Sequence, residues 1–543
     1  MSHHLRAGER AASEDLVDLS ELRRRYHEVV PNPAHPEERV AFGTSGHRGS
    51  SLKDSFQDLH VAALTQAIVE LRKELGVDGP LFVGADSHAL SSHALQTVRE
   101  VLAAHPVDAR FAPGDELVAT PLISHAILQW NRDASAPRAD GIILTPSHNP
   151  PQDGGYKYNP PSGGPAEPEI TDRIAARANA LLENPEHIRR ASADEAQRHG
   201  RDYDFVGHYV RDLSRVIDLE AIQRAGVRMA VDPLGGAGLP VWRAIRDTHA
   251  LNIDLLNETV DPQFGFMTLD HDGVIRMDCS SPFAMRSLVD KMEGYDVGVG
   301  NDPDADRHGI VTARGVMNPN HFLSLVVDHL LATRSGWSER GAIGRTVVTS
   351  GLLDRVAASH GREVFEVPVG FKWFVEGMFD GSLVFGGEES AGASFVDMQG
   401  QPWSTDKDGI ILGLLAAEII AKNPQGLDAL WDALCAKHGE VFYARRDQPA
   451  SAAARAAVKN MSPDDLSSDQ LAGRPVTRIA TTAQGNGASI GGLKIVTDDG
   501  WVAMRPSGTE DILKIYAESF VSEAHLQALL DDAEAVMAAL VAS

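Results

Sequence analysis

The chain alternates short apolar runs with amphipathic helical segments, and this alternation constrains its fold more than any other feature. Apolar residues from Val61 to Leu75 recur at spacings of three and four, which predicts a helix that Gly76 ends. The apolar run Leu81–Gly84 that follows predicts a strand. Because similar pairs of strand and helix recur further along the chain, we expect α/β layers with largely parallel or mixed sheets.

The length of the chain requires several domains. A chain of 543 residues is too long for one hydrophobic core, since single cores stop growing at about 250–300 residues. We predict three related α/β domains with mixed sheets and a smaller C-terminal α+β domain. The expected parts are an N-terminal helical extension over 1–40, α/β domains over 41–205, 206–325 and 326–444, and an α+β domain over 445–543.

One stretch is expected to lack regular structure. Residues 158–169 contain four prolines and two glycines, which predicts a surface loop that connects two elements or acts as a lid.

Charge and composition restrict the kinds of partner and the compartment. The net charge is −26, so nucleic acids and anionic membranes are improbable partners, and no apolar run approaches the roughly 20 residues of a membrane span. The N-terminus lacks the apolar region of a signal peptide. Only Cys279 and Cys435 occur, too few for a disulfide framework, so we expect a cytoplasmic protein. The sequence does not predict an oligomeric state.

The segment Thr145–Pro150 places a hydroxyl on a turn directly after an apolar run. The run Gly141–Leu144 predicts a strand, and the prolines on either side of Ser147 prevent the chain from continuing as sheet or helix. Ser147 is therefore a candidate nucleophile at an accessible strand end, although an ordinary Asn-Pro turn would have a similar composition. His148 is adjacent in sequence and no third partner is evident, which argues against a hydrolase dyad.

A second strand-like run, 296–300, leads into three aspartates at alternate positions, Asp302, Asp304 and Asp306. These carboxylates would repel one another unless a cation lies between them, which indicates a magnesium site. A calcium-binding EF-hand would need Gly and Glu where this chain has Arg307 and Ala313, so that alternative fails. A solvated acidic loop remains the other interpretation of the segment alone.

Two further polar loops follow strand-like runs. The loop Gly386–Gly392 offers a carboxylate and a hydroxyl that suit sugar hydroxyls. The loop Arg505–Asp511 offers a guanidinium, two hydroxyls and a glycine, which are the groups of a phosphate-binding loop. Each of these two signals is weak by itself.

Together with Gly43–Gly49, these segments resemble, in order and over nearly the whole chain, the α-D-phosphohexomutase superfamily, and within it the bacterial phosphoglucomutases. The resemblance implies domains arranged around a central cleft and a phosphoserine enzyme that requires Mg²⁺. The implied reaction interconverts α-D-glucose 1-phosphate and glucose 6-phosphate through glucose 1,6-bisphosphate, so the expected partner is a small sugar phosphate. The alternatives are a phosphomannomutase or phosphoglucosamine mutase, a phosphatase, or a non-catalytic scaffold on the same fold.

The resemblance also implies roles for individual residues. Ser147 would carry the phosphate and, with the aspartates, would hold the metal. Lys157 and Arg48 would perform the acid–base work, and the sequence leaves open which of them is the general base. The groups expected to bind substrate are Thr44, Ser45, His148, Arg307, Gly370, Lys372, Glu388, Ser390, Lys407, Arg505, Ser507, Gly508 and Thr509.

Overall fold

The computed structural model describes residues 4–43, 46–466, 468–507 and 511–542. The described chain forms a larger compact unit, residues 4–319 and 390–426, and a smaller one, residues 320–389 and 427–542. The larger unit contains the six-stranded sheet and a five-stranded mixed sheet, and the smaller unit contains a five-stranded antiparallel sheet.

The first domain lies in the larger unit and contains a mixed sheet. Its helices are α1 Leu19–Glu28, α2 Asp58–Leu75, α3 Ser91–Ala103, α4 Thr120–Asn131, α5 Pro168–Glu183 and α6 Ala193–Arg198. Its strands are β1 His47–Ser50, β2 Leu81–Ala85, β3 Ala109–Phe111, β4 Asp140–Leu144, β5 Asp153–Asn159 and β6 Arg201–Asp202, in the order β1-β5-β4-β2-β3-β6. The predicted helix before Gly76 and the predicted strand at Leu81 are confirmed, and Gly76 ends α2 in a left-handed conformation with φ 67°.

The second domain also lies in the larger unit and contains a five-stranded sheet. Its helices are α7 Phe205–Asp212, α8 Leu219–Ala225, α9 Gly238–His249 and α10 Arg286–Val289. Its strands are β7 Met229–Asp232, β8 Ile253–Leu255, β9 Val297–Asn301, β10 His308–Thr312 and β11 Gly315–Val316, in the order β11-β10-β9-β7-β8. Strand β7 runs parallel to β8 and β9, whereas β10 turns back antiparallel to β9, so the polar loop between β9 and β10 is a tight connection at one sheet end.

The third domain contributes to both units. Its helices are α11 Pro319–Thr333, α12 Leu352–Ser359, α13 Val375–Asp380, α14 Gly409–Lys422 and α15 Gly426–His438, and its strands are β12 Ala342–Thr346, β13 Val364–Val367, β14 Leu383–Glu388 and β15 Gly392–Phe395. In the smaller unit β12 pairs in parallel with β13 and β14. In the larger unit α14 packs against β9 and β10.

The C-terminal domain has a five-stranded antiparallel sheet. Its strands are β16 Phe442–Pro449, β17 Gln470–Leu471, β18 Arg474–Pro475, β19 Arg478–Thr482, β20 Ser489–Thr497, β21 Gly500–Pro506 and β22 Ile512–Ser519, and its helices are α16 Ala452–Lys459 and α17 Glu523–Ala542. The order in the main sheet is β16-β22-β21-β20-β19. Most of the strands follow one another as antiparallel hairpins, and the two helices lie before and after them in the chain, which is the α+β arrangement. The predicted fold class of three α/β domains and a smaller C-terminal α+β domain is confirmed.

Within the smaller unit, the C-terminal domain is joined to the third domain by buried polar contacts. Lys494 Nζ donates to Val347 O at 2.6 Å and to Glu366 Oε2 at 2.9 Å. Glu518 accepts hydrogen bonds from Gly351 N at 2.7 Å and from Trp501 Nε1 at 2.8 Å. An apolar cluster surrounds these contacts, and it consists of Val347, Val348, Ala483, Ile490, Trp501, Ala503 and Tyr516.

The stretch 158–169 is not the surface loop that its composition predicts. Tyr158 and Asn159 end strand β5, residues 163–166 are buried, and Pro168 begins α5. Asn159 Nδ2 donates to Gly163 O at 2.9 Å and to Asp406 Oδ2 at 3.0 Å, which fixes the turn. Proline and glycine content carries no information on burial, which is why this expectation is wrong.

Among the described residues, no single helix is both long enough and apolar enough to cross a membrane, and only α14 and α15 counted together reach that length and composition.

Candidate active site

Ser147 lies in the turn that connects β4 to β5, and its backbone is fixed by the residues around it. Its φ is 62°, a left-handed conformation that is uncommon for a residue with a side chain. Its backbone N–H donates to Thr145 Oγ1 at 2.8 Å, and its own Oγ donates to Asp302 Oδ2 at 2.7 Å. The sequence predicts an accessible serine, and that expectation is wrong, because the residue is only 1% exposed. The hydroxyl faces the second domain.

The loop between β9 and β10 gathers the three aspartates of the sequence prediction. Asn301 Nδ2 donates to Arg307 O at 2.8 Å, which joins the two ends of the loop, and Trp242 Nε1 donates to Asn301 Oδ1 at 2.7 Å. Ala305 adopts φ 54° at the turn. One carboxylate oxygen from each aspartate lies within 4.8 Å of the others, and all three residues are buried; they are Asp302, Asp304 and Asp306.

The donor set fits a hard divalent cation. Asp304 Oδ1 and Asp306 Oδ1 are buried, and neither accepts a hydrogen bond from the part of the chain that the structure describes. Burial, followed by the negative charges of Asp304 and Asp306, holds the pKa of Asp302 well above its usual range. Carboxylate oxygens are the protein ligands that Mg²⁺ prefers, and two of the buried oxygens here have no donor among the described residues, so the residues present suit this ion.

Two lysines share the negative charge of this loop. Lys157 Nζ lies 2.6 Å from Asp304 Oδ2 and 3.2 Å from Asp306 Oδ2, and Lys407 Nζ lies 3.1 Å from the same Asp306 oxygen. Burial alone would raise the pKa of Asp306, but the two lysines hold it well below its usual range. Burial opposes the charge on Lys157, yet Asp304 and Asp306 raise its pKa.

Lys407 reaches this position because a glycine lies beside it. A Cβ atom at Gly392 would lie 2.0 Å from Lys407 Cδ, so the start of β15 has to be glycine for the lysine to pass. Ser390, which precedes this strand, is partly exposed.

Cationic and neutral nitrogen groups surround the same loop. Arg307 N donates to Asp302 Oδ1 at 3.0 Å. Burial lowers the pKa of Arg48, and the positive charge of Arg307 lowers it further, which places the two guanidinium groups near each other. Burial and then Arg307 also hold the pKa of His148 well below its usual range. The larger unit therefore assembles a mixed anionic and cationic site around Ser147.

The other predicted residues lie in the smaller unit or outside the described residues. Glu388 Oε1 accepts a hydrogen bond from Gly370 N at 3.0 Å, so two of the predicted sugar-binding residues are in contact. Lys372 Nζ lies 5.5 Å from the centre of the Trp373 ring. Arg505 belongs to β21, and Ser507 N donates to Ile512 O at 2.9 Å. The residues outside the described part of the chain are Thr44, Ser45, Gly508 and Thr509.

Sequence reasoning missed two residues that complete the site. Thr120 donates from N to Asp304 O at 2.9 Å and from Oγ1 to Asp304 Oδ2 at 2.6 Å. The Thr-Pro pair at the start of α4 signals a helix beginning, but it does not reveal this partner. Asp278 has a pKa lowered to about 2: burial would raise it, and the charges of His148 and Arg307 outweigh burial. No motif in the sequence marks Asp278.

Comparisons with known proteins agree with the order of the domains. Models of the phosphoglucomutase/phosphomannomutase family match four consecutive parts of the chain: alpha/beta/alpha domain I over residues 39–185, domain II over 207–315, domain III over 318–438, and the C-terminal domain over 444–536.

Two relatives are similar over most of the chain. A phosphoglucomutase of Komagataeibacter xylinus is 49% identical over 540 residues, which is 99% of this chain and 97% of that protein. A phosphoglucomutase/phosphomannomutase of Thermococcus kodakarensis is 27% identical, with 88% of this chain and 94% of that protein covered. Among solved structures, Paramecium parafusin in its open form shares the fold at a TM-score of 0.72, with 21% identity and coverage of 94% of this chain and 95% of that one.

Proposed function

The chain belongs to the phosphoglucomutase/phosphomannomutase family, and on this premise we propose that it interconverts α-D-glucose 1-phosphate and glucose 6-phosphate. It is an isomerase that works by phosphoryl transfer. In the proposed cycle, phosphorylated Ser147 gives its phosphoryl group to the sugar phosphate, so that glucose 1,6-bisphosphate forms. The bisphosphate then returns its other phosphoryl group to Ser147.

The observation that carries this proposal is the contact between Ser147 Oγ and Asp302 Oδ2 at 2.7 Å. It sets the nucleophile beside three buried carboxylates, two of which have an unsatisfied oxygen in the described chain. A purely structural acidic cluster would neutralise such oxygens with donors, because an unpaired buried acceptor is costly. The arrangement supports a nucleophile that works next to a bound cation.

The chain's own residues suit a Mg²⁺ ion at this place. Asp302, Asp304 and Asp306 would hold it, together with an oxygen on Ser147. When bound, Mg²⁺ neutralises charge on the phosphoryl group during its transfer.

Lys157 and Arg48 are the proposed acid–base groups for the attacking and leaving sugar hydroxyls. Both lie among the charges of the aspartate loop. Lys157 makes ion pairs with two of the aspartates. Burial and Arg307 lower the pKa of Arg48, and Asp304 opposes this effect. A positioned group in this role contributes roughly 10²–10⁴-fold to a rate.

Substrate recognition follows from charge and hydroxyl chemistry. A protein with a net charge of −26 repels a sugar phosphate, so the cations of the site have to attract it locally. We propose that Thr44, Ser45, His148, Arg307 and Lys407 contact the substrate, and that Arg505, Ser507, Gly508 and Thr509 form a phosphate-binding loop. We propose that the sugar is bound by Gly370, Lys372, Glu388 and Ser390.

The identity of the sugar is part of the proposal. The sequence identity of 49% to a phosphoglucomutase favours glucose over mannose or glucosamine phosphates. Relative kcat/KM on glucose 1-phosphate, mannose 1-phosphate and glucosamine 1-phosphate measures this preference directly. A higher kcat/KM on the mannose or glucosamine substrate would overturn the assignment of glucose.

We also propose that the enzyme acts in the cytoplasm on small soluble substrates, in keeping with its two free cysteines.

The decisive experiment is phosphorylation of the purified protein by glucose 1,6-bisphosphate in the presence of Mg²⁺. Intact mass should increase by one phosphate, which peptide mapping should assign to Ser147. Ser147→Ala should lose this increase and all mutase activity, whereas Ser135→Ala, an exposed serine of the same domain, should behave as the wild type. Release of free phosphate without formation of glucose 6-phosphate would instead identify a phosphatase.

A further inference from the structure

Asp86, at the end of β2, accepts four hydrogen bonds although its side chain is fully buried. Its Oδ2 accepts from Thr145 Oγ1 at 2.6 Å and from His88 Nδ1 at 2.8 Å. Its Oδ1 accepts from His88 N at 2.9 Å and from Ser91 Oγ at 2.6 Å. A carboxylate that accepts four donors in this way is ionised, because a protonated one would have to donate at one of these positions.

His88 makes a second contact that defines its protonation. Its Nδ1 faces the Asp86 carboxylate, and its Nε2 lies 3.0 Å from Asn149 O. A carbonyl oxygen and an ionised carboxylate can only accept, so both ring nitrogens have to donate. The geometry points to an imidazolium at His88, which forms a buried ion pair with Asp86.

This ion pair is connected to both sides of the nucleophile. On one side Asp86 holds Thr145 Oγ1, which in turn accepts the Ser147 backbone N–H at 2.8 Å. On the other side His88 holds the carbonyl of Asn149. Between these two points Ser147 adopts its left-handed conformation, with φ 62°. A side chain in that conformation persists only where the surrounding contacts determine it.

We propose that Asp86 and His88 are positioning residues, which hold the Thr145–Asn149 turn so that Ser147 Oγ faces the aspartate loop. The proposal rests on the proposed phosphoserine function. A neutral residue such as Asn would satisfy Ser91 and the start of α3 equally well, so local helix capping does not explain a charged pair. Burying two charges costs free energy. The contacts of this buried pair hold the backbone on both sides of the nucleophile.

The surroundings of His88 favour its charged form. Asp86 faces it from its own segment and Asp153 from β5, whereas the second domain contributes the Phe264 ring at 5.0 Å. Burial acts against the charge, but Asp86, the Asn149 carbonyl and Asp153 outweigh burial and raise the pKa of His88. Deprotonation at alkaline pH would remove one of the two donors and release one side of the turn.

The test separates positioning from binding and from folding. His88→Gln should lower kcat, and the single-turnover rate of Ser147 phosphorylation by glucose 1,6-bisphosphate, by about 10–100-fold, because a small displacement of a reacting group costs this much. The KM for glucose 1-phosphate should stay within about twofold of the wild-type value, because His88 is buried and is not one of the proposed substrate-binding residues. The wild type should also lose kcat as pH rises through the pKa of His88, and the variant should lack this decline.

Thr145 supplies an independent variant. Thr145→Val removes the hydroxyl that links Asp86 to Ser147 and should lower the phosphorylation rate, whereas Thr145→Ser keeps the hydroxyl and should retain it. His93→Gln, at a half-buried histidine that is hydrogen-bonded to His27 and has no contact with the Thr145–Asn149 turn in the part of the chain that the structure describes, is the matched control and should match the wild type. If His88→Gln does not fold, as judged by its thermal unfolding, the Thr145 pair decides.

Wild-type kcat and an unchanged alkaline decline in His88→Gln would overturn the proposal, as would a loss carried entirely by KM. In the Thr145 pair, equal phosphorylation rates for Val and Ser would overturn it. A wild-type protein that takes no phosphate on Ser147 would instead disprove the proposed function.

Discussion

Lys157 Nζ and Asp304 Oδ2 are 2.6 Å apart, and Thr120 Oγ1 donates to the same aspartate oxygen. The two oxygens of Asp304 therefore differ. Oδ2 accepts from two donors, whereas Oδ1 accepts no hydrogen bond from the described residues. The lysine proposed for proton transfer is also the partner of a carboxylate proposed to hold the metal. Changes in one of the two should therefore affect the other.

Replacing Lys157 should separate metal binding from catalysis. In Lys157→Ala, kcat should fall by about 100-fold or more, since a proton-transfer group is lost. Mg²⁺ should bind at least as tightly as in the wild type, because Asp304 and Asp306 lose a competing cation. Calorimetric titration with Mg²⁺ and steady-state assays measure the two effects, and Lys53→Ala, an exposed lysine, serves as the control. Weaker Mg²⁺ binding in Lys157→Ala would contradict this relationship.

Replacing Asp304 should have the opposite effect on metal. Asp304→Asn keeps an oxygen acceptor for Thr120 but removes one negative charge from the trio. The Mg²⁺ concentration for half-maximal activity should rise by about 10-fold or more, because carboxylate charge provides much of the affinity for a hard cation. Asp290→Asn, at an exposed aspartate paired with Arg286, should leave the Mg²⁺ curve unchanged. An unchanged curve for Asp304→Asn would remove this aspartate from the metal site.

Glu388 should act both on its own loop and on the sugar. Its Oε1 accepts the Gly370 N–H, a contact that an amide oxygen can also make. Glu388→Leu should lower kcat/KM for glucose 1-phosphate by about 100-fold, since a buried donor is left unpaired and the proposed sugar contact is lost. Glu388→Gln should lose less, and Glu376→Gln, at an exposed position, should lose nothing. Equal kcat/KM for Leu and Gln variants would show that the Gly370 contact is irrelevant to activity.

His60 should make the protein less stable in acid. The residue is buried, its Nε2 donates to Glu38 O at 2.7 Å, and its Nδ1 accepts the Gln57 N–H at 3.0 Å, which is the pattern of a neutral ring. Burial, helped by the charge of His47, lowers its pKa to about 4. The unfolded chain therefore binds a proton that the folded chain excludes, and stability falls as pH decreases from about 6.5 to 4.

The total loss from His60 should be about 3 kcal/mol over this range. Urea unfolding at a series of pH values measures it, with His60→Gln as the variant that cannot titrate. The difference between wild type and variant should depend on pH only in this window. A pH-independent difference would mean that His60 takes up its proton equally in both states.

Glu366 should stabilise the smaller unit through two buried cations. Its Oε2 lies 2.9 Å from Arg345 Nη1 and 2.9 Å from Lys494 Nζ. Glu366→Gln keeps the shape and leaves both cations without this anion, which should cost about 3 kcal/mol. Differential scanning calorimetry should show a lower Tm, and Glu363→Gln, an exposed neighbour, should keep the wild-type Tm. An unchanged Tm for Glu366→Gln would mean that Asp354 and the backbone carbonyls satisfy the cations.

The candidate site residues could be selected from the sequence because most of them follow strand-like runs, as Ser147 follows β4 and Asp302 follows β9. Their partners were not predictable. Ser147 and Asp302 are 155 positions apart in sequence, and Thr120 and Asp304 are 184 apart. Local pattern fixes the element on which a residue lies, whereas the contact depends on how two domains pack. For the same reason the burial of Ser147 and of residues 163–166 was missed.

The contacts of Lys494 and Glu518 with the third domain limit how this enzyme can be recombined with its relatives. A chimaera that exchanges only residues 445–543 would replace Lys494 and its neighbours by residues of another protein, while Val347 and Glu366 stay the same. Side chains from two different proteins would then have to pack together in the apolar cluster around Trp501. Exchange of residues 320–389 together with 427–543 keeps these contacts within one parental sequence. Laboratory evolution by domain shuffling should therefore always exchange these two segments together.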